Sequence, residues 1–274
     1  MNGREEVKDV QEVYEVEEKN TGVAAFFDLD GTLISLPSLE MRFFSLLRYR
    51  RVVGIRNHFA WIAEAARLIP RGINQILHAN KMYLRGVSVD ETHSLRAPSF
   101  FPEAIERMAW HAQRGHLLVI VSGTLEPLAH QAARAMETEL EARGLKSLIR
   151  VCATRLEVKN GAWTGRIVGE AMFGEAKARA IQRIADAENL DLQRCFAYGD
   201  SANDRWMLEA VGKPAAVNPS NDLGRIARRN EWAVLRWGKE KTFTQRTQSA
   251  QRSQRTEQSE RELQVARAKA GFRV

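Results

Sequence analysis

Five short, mostly apolar runs punctuate the chain: residues 22–29 (GVAAFFDL), 117–121 (LLVIV), 195–198 (CFAY), 214–217 (PAAV) and 233–237 (AVLRW). Runs of this kind, without strict polar alternation, suit strands covered on both faces, as in a parallel sheet. Apolar residues at helical spacing fill the segments between them, over residues 102–114, 126–143, 174–189 and 204–211. Strand and helix in alternation predict an α/β fold, a doubly wound Rossmann-like parallel sheet.

Two segments interrupt the alternation. Residues 36–99 hold no strand-like run but show helical periodicity at 41–49, 59–68 and 74–84. The segment is too long for a structureless loop, which predicts a helical insertion after the first strand. Residues 150–168 (RVCATRLEVKNGAWTGRIV) carry Asn160-Gly161 between β-rich flanks, a hairpin signal. The expected organisation is a flexible acidic arm over 1–20, a core domain from 21–36 and 100–238, a helical cap over 37–99 and a disordered basic tail over 239–274. The tail is rich in Gln, Ser, Thr and Arg, a composition that cannot bury a core.

Composition narrows the function classes. Hydrophobic residues make up 44% and charged residues 27%, as in an ordinary globular protein. No apolar run reaches the ~18 to 20 residues of a membrane span, and no secretory signal opens the chain. A cytoplasmic location is the expectation. Cys152 and Cys195 each fall in a strand-like run and read as small buried hydrophobes, and no His/Cys cluster has zinc spacing. The net charge of +7 suggests a polyanion partner, but +5 of it belongs to residues 239–274.

Four features at predicted strand ends carry chemistry. In Asp28-Leu29-Asp30-Gly31-Thr32, the first carboxylate is placed to attack phosphorus and the second to shuttle a leaving-group proton. Read alone, the same residues could make a capped turn; the preceding apolar strand favours the chemical reading. Ser122-Gly123-Thr124 follows LLVIV and offers a hydroxyl and backbone N–H groups to phosphoryl oxygens, or else a helix N-cap. Lys177, near the start of a helix, is either a surface residue or a cation that neutralises a transferring phosphoryl group. In Gly199-Asp200-Ser201-Ala202-Asn203-Asp204, two acids four apart suit a hard cation and its waters, whereas helix capping explains one acid but not both.

In order and spacing these features resemble the four motifs of the haloacid dehalogenase superfamily of aspartate-nucleophile phosphatases. The helical insertion and LEVKNGAWTGRI are similar to subclass IB, which includes phosphoserine phosphatase. The resemblance covers roughly residues 23–237. It implies a Mg²⁺-dependent phosphatase acting on a small phosphorylated metabolite, with Asp28 as nucleophile and Asp30 as general acid/base. It implies that the Asp28 carboxylate, the Asp30 backbone carbonyl and Asp200 hold the metal while Asp204 orders water beside it. Ser122, Gly123, Lys177 and Asn203 are implied as phosphoryl ligands. One position departs: where phosphoserine phosphatases carry a substrate-binding Glu, this chain has Pro37, and Glu40 is the nearest acid able to replace it.

Phosphoserine hydrolysis and phosphotransfer to another alcohol are alternatives within the same chemistry. An RNA- or membrane-surface-binding protein with a basic tail is the alternative from another class. The oligomeric state stays open. From the tail's composition, ending the chain near Gly238 should leave the melting temperature and phosphatase turnover unchanged and remove only salt-sensitive binding to polyanions. Thermal melts, phosphate release and polyanion binding of full-length and shortened protein check this; a large fall in stability or turnover would show that the tail packs on the core.

Overall fold

In a computed structural model of the chain, residues 22–71 and 79–238 are described. The expected acidic arm and basic tail, and residues 74–78 of the helix expected over 74–84, lie outside the described residues. The chain divides into two compact units, Met1–Leu235 and Arg236–Val274. Of the second, only residues 236–238 are described, and they form no helix or strand.

The first unit is built on a six-stranded sheet. Its strands are β1 (Ala24–Phe27), β2 (Leu117–Leu125), β3 (Ile149–Thr154), β6 (Phe196–Gly199), β7 (Lys213–Val217) and β8 (Ala233–Leu235), in the order β3-β2-β1-β6-β7-β8. Every neighbouring pair is parallel. This is the doubly wound α/β arrangement, with the order reversing between β1 and β6. All four residues of β1 are fully buried, which is why its sequence runs apolar without alternation.

Helices cover both faces. These are α3 (Pro102–Ala112), α4 (Glu126–Glu141), α5 (Glu175–Glu188), α6 (Arg205–Glu209) and α7 (Asn221–Arg229). α4 buries Leu128, Ala132, Met136 and Leu140, four residues apart, as the apolar stripe of a surface helix requires.

The insertion after β1 contributes α1 (Leu39–Tyr49) and α2 (Ile55–Leu68). α1 buries Leu39, Phe43 and Leu47 on one stripe, and Ser38 caps it by accepting from Met41 N. α2 is amphipathic yet buries only Leu68. Residues 82–84, expected to end a third long helix, form a single 3-10 turn instead, Met82–Leu84.

Residues 150–168 contain more than the expected hairpin. β3 is a separate edge strand of the main sheet; its polar Arg150 and half-buried middle hide it from a search for continuous apolar runs. The hairpin proper pairs β4 (Leu156–Lys159) with β5 (Ala162–Ile167) in antiparallel fashion. Asn160 and Gly161 have φ of +51° and +73°, the left-handed pair that a two-residue hairpin turn needs. Trp163 of β5 exchanges backbone hydrogen bonds with the 86–87 segment and packs edge-on against Phe43 of α1. The hairpin thus braces the inserted helices. No helix among the described residues is long and apolar enough to cross a membrane.

Beneath β1 and β6, His111 is fully buried. Its Nε2 bonds to Tyr198 Oη at 2.9 Å and its Nδ1 to His116 Nδ1 at 2.8 Å. Burial, then the neighbouring His116, Arg107, Arg114 and Lys213, push its pKa down to about 2. Unfolded, the imidazole regains a pKa near ~6.5 and binds a proton that the folded state refuses, so stability falls as pH drops below that value. In denaturant titrations at pH 7 and pH 5, wild type should lose about 2 kcal/mol more than His111→Gln over this interval. Equal losses would show that the histidine titrates normally in the fold.

Candidate active site

β1 and β6 lie side by side, with Phe27 opposite Tyr198. Their ends therefore deliver Asp28 and Asp200 to the same point, the crevice where the strand order reverses. Asp28 N donates to Tyr198 O at 2.9 Å, which continues the sheet into the first carboxylate. The chain then curls: Gly31 N donates to Ile34 O, and Leu33 N and Ile34 N donate to Leu29 O. Gly31 has φ +89°, and a Cβ there would lie 2.2 Å from Asp200 Oδ2. Glycine is required both by the turn and by the carboxylate that it faces.

Lys177 enters from the first turn of α5, with 3% of its surface exposed. Its Nζ lies 2.5 Å from Asp28 Oδ1 and 2.6 Å from Asp204 Oδ1. Burial opposes the ammonium charge, but Asp204 and Asp28 outweigh it and hold the Lys177 pKa above the usual lysine value. The second oxygen of Asp204 accepts from Asp200 N, Ser201 N and Ser201 Oγ at 3.2, 2.9 and 2.8 Å. Asp204 is thus fully engaged as a clamp. Gly199 makes room for it, since a Cβ at that position would meet Asp204 Cβ at 2.5 Å.

Oxygens of Asp28, Asp200 and Asp204 lie within 4.8 Å of one another. Burial, then Asp204 and Asp200, raise the Asp28 pKa despite Lys177. Burial and then Asp204 raise Asp200 to about 7. One lysine does not balance this much buried negative charge, and all the donors are hard oxygens. The residues present therefore fit a divalent cation such as Mg²⁺, with Asp28 and Asp200 nearest to the crevice.

Asp30 Oδ1 accepts from Leu39 N at 2.8 Å, which ties the second carboxylate to the N-terminus of α1. Burial raises its pKa to about 6 against that bond. Ser122 and Gly123 sit near the end of β2, where the pairing with β3 shifts register between Ser122 and Leu125. Neither Ser122 nor Thr124 caps α4, whose N-cap is Leu125. Ser122 Oγ instead accepts from Thr124 N, and Thr124 Oγ1 is buried with no hydrogen-bond partner. Asp28, Asp30, Ser122, Gly123, Lys177, Asp200 and Asn203 line one cavity of about 930 Å³. Of the residues expected to act on phosphorus or metal, Asp204 is not part of the lining, and Pro37 does not line the cavity either.

The far side of the cavity was not legible in the sequence. Lys81, 4% exposed, places Nζ 2.5 Å from Glu40 Oε1, and Tyr83 Oη donates to the same oxygen. Glu40 is therefore already neutralised within the protein. Burial, then Glu40, raises the Tyr83 pKa. Asn57 of α2 donates to Tyr83 O and Arg85 O, and the Asn80 side chain donates to Trp61 O of α2, so Lys81 is placed by α2 rather than by any motif of its own. For Lys177 a signal did exist: it occupies the same helical stripe as the buried Ala180, Ile181 and Ala185.

A family model of haloacid dehalogenase-like hydrolases matches residues 25–209. A probable phosphatase of Mycobacterium tuberculosis is 32% identical over 228 residues, 79% of this chain and 76% of that protein. A phosphoserine phosphatase of the same organism is 30% identical, over 77% of this chain and 70% of its own length. A solved structure of a Bordetella pertussis protein of unknown function superimposes with a TM-score of 0.61 at 28% identity, covering 77% of this chain and 97% of that one. With the match spanning both strand-end aspartates, the lysine and the neighbouring strands that gather them, the chain belongs to the haloacid dehalogenase-like hydrolases, as a phosphoric monoester hydrolase.

Proposed function

We propose that this enzyme hydrolyses a small-molecule phosphomonoester with Mg²⁺ through an aspartyl-phosphate on Asp28. The observation that carries the reading is the buried contact between Lys177 and Asp28, backed by Asp204, at the reversal of strand order. Asp28 attacks phosphorus as the bond to the alcohol oxygen breaks. Asp30 gives that oxygen a proton; its pKa of about 6 leaves it protonated more often near neutrality than an ordinary aspartate. The Asp30 carboxylate then takes a proton from the water that attacks the acyl phosphate, and Asp28 is regenerated.

Lys177 stays charged throughout and faces the transferring group. Ser122, Gly123 and Asn203 surround the phosphoryl oxygens, and the buried Thr124 hydroxyl is a further donor on the same wall. Asp28, the Asp30 carbonyl and Asp200 would hold Mg²⁺, which would supply added stabilisation of the phosphoryl charge. Asp204 serves this centre indirectly, by fixing Lys177 and the 200–201 backbone.

The name of the second M. tuberculosis relative raises phosphoserine as the substrate. Pro37 and the neutralised Glu40 favour another alcohol, because neither offers a free anion to a substrate ammonium.

Asp28→Asn should lower kcat by at least ~10³, about 4 kcal/mol of transition-state stabilisation. Phosphate release by this variant at near wild-type rate would remove the nucleophile assignment. EDTA should abolish turnover and excess Mg²⁺ restore it, as oxygen-only ligands require; recovery with Zn²⁺ but not with Mg²⁺ would contradict the proposed centre.

A further inference from the structure

Resting on the phosphomonoesterase reading, we infer that the alcohol carried by the substrate is extended and apolar, an alkyl or aryl chain rather than an amino-acid alcohol. Size is the first observation. The cavity of about 930 Å³ stands at the upper end of the ~300–1,000 Å³ that drug-sized ligands occupy, far beyond the needs of a serine side. Lining is the second. The inserted segment contributes Leu36, Met41, Phe44, Trp61 and Ile62 to the wall, with Ser38 and His58 as polar members beside Glu40, Lys81 and Tyr83.

Charge is the third. The one carboxylate on that wall, Glu40, is taken by Lys81 and Tyr83, so the pair presents no net charge to a ligand. The fourth is the outer surface of α2. Ile55, Phe59, Ile62 and Ala66, followed by Ile69, recur at spacings of three and four and are all exposed. Ile62 belongs both to this stripe and to the cavity wall, which makes one apolar path from the phosphoryl site to the outside. Exposed apolar surface of this continuity marks a binding function. A small polar alcohol uses none of it, whereas an apolar chain covers it. The reaction is otherwise unchanged: the P–O bond to the alcohol breaks, water supplies the oxygen on phosphorus, and the alcohol leaves protonated.

Phosphate release by the full-length enzyme with Mg²⁺ should be measured on ethyl, butyl, hexyl and octyl phosphate below their micellar concentrations, and on phosphoserine. Each methylene entering the apolar wall should raise kcat/KM about threefold, or roughly a hundredfold from ethyl to hexyl phosphate, with phosphoserine no better than ethyl phosphate. Met41 and Ile62 are 58% and 56% exposed, so replacing them does not disturb the core. In the double variant Met41→Gln, Ile62→Gln the hexyl-to-ethyl ratio should fall about tenfold. A flat series, a preference for phosphoserine, or an unchanged ratio in the variant would overturn the apolar-alcohol inference while the phosphatase stands. Failure of every ester, with wild type no faster than Asp28→Asn, would overturn the phosphatase reading itself.

Discussion

Lys177 carries its charge almost out of reach of water, in direct contact with Asp28 and Asp204. Removing a partner from such a group leaves an uncompensated buried charge, so the surrounding structure is organised to keep both carboxylates in place. Asp28 is held by the β1–β6 pairing, and Asp204 by three donors from residues 200 and 201. Two glycines make the approach feasible. Gly31 leaves space for Asp200, and Gly199 leaves space for Asp204. Burial first, and then this crowding of carboxylates, raises the aspartate pKa values, and negative charge that one lysine does not balance fits a divalent cation.

A second ion pair, the buried Lys81 with the half-buried Glu40, lies on the other half of the cavity. It sits on the inserted helices, and its effect is to remove charge rather than to present it. The insertion is tied to the strand-end carboxylates by the bond from Leu39 N, at the start of α1, to the Asp30 carboxylate. The β4–β5 hairpin supports α1 from behind through Trp163. The two halves of the cavity are thus built on different parts of the molecule, and a hydrogen bond donated by Leu39 N to Asp30 ties α1 to the strand-end carboxylates.

Much of this was written locally. Apolar runs ending in Asp mark strands whose faces are covered and whose ends are polar, and Asn160-Gly161 specifies its own turn because both residues tolerate positive φ. The strand-end residues Asp28, Asp30 and Asp200 were legible for the same reason, since sheet strands present their ends at one edge. Around Cys152 a strand was legible, but not its place as an edge strand of the main sheet, because a strand half exposed to solvent has no need of a continuous apolar run. The exposed face of α2 was also hidden: periodicity records that a helix has an apolar side, not that anything covers it.

The sequence by itself determined most strands and core helices, the strand-end carboxylates and the glycines beside them, because these follow from backbone hydrogen bonding and burial over a few neighbouring residues. Only the tertiary structure decided which charges neutralise one another. Lys177 meets Asp28 across 149 positions and Lys81 meets Glu40 across 41, and no local pattern encodes such a partner. Buried charges are expensive enough that each must find its counter-ion in space, wherever the chain carries it, and that pairing is settled only when the sheet and the inserted helices close around one cavity.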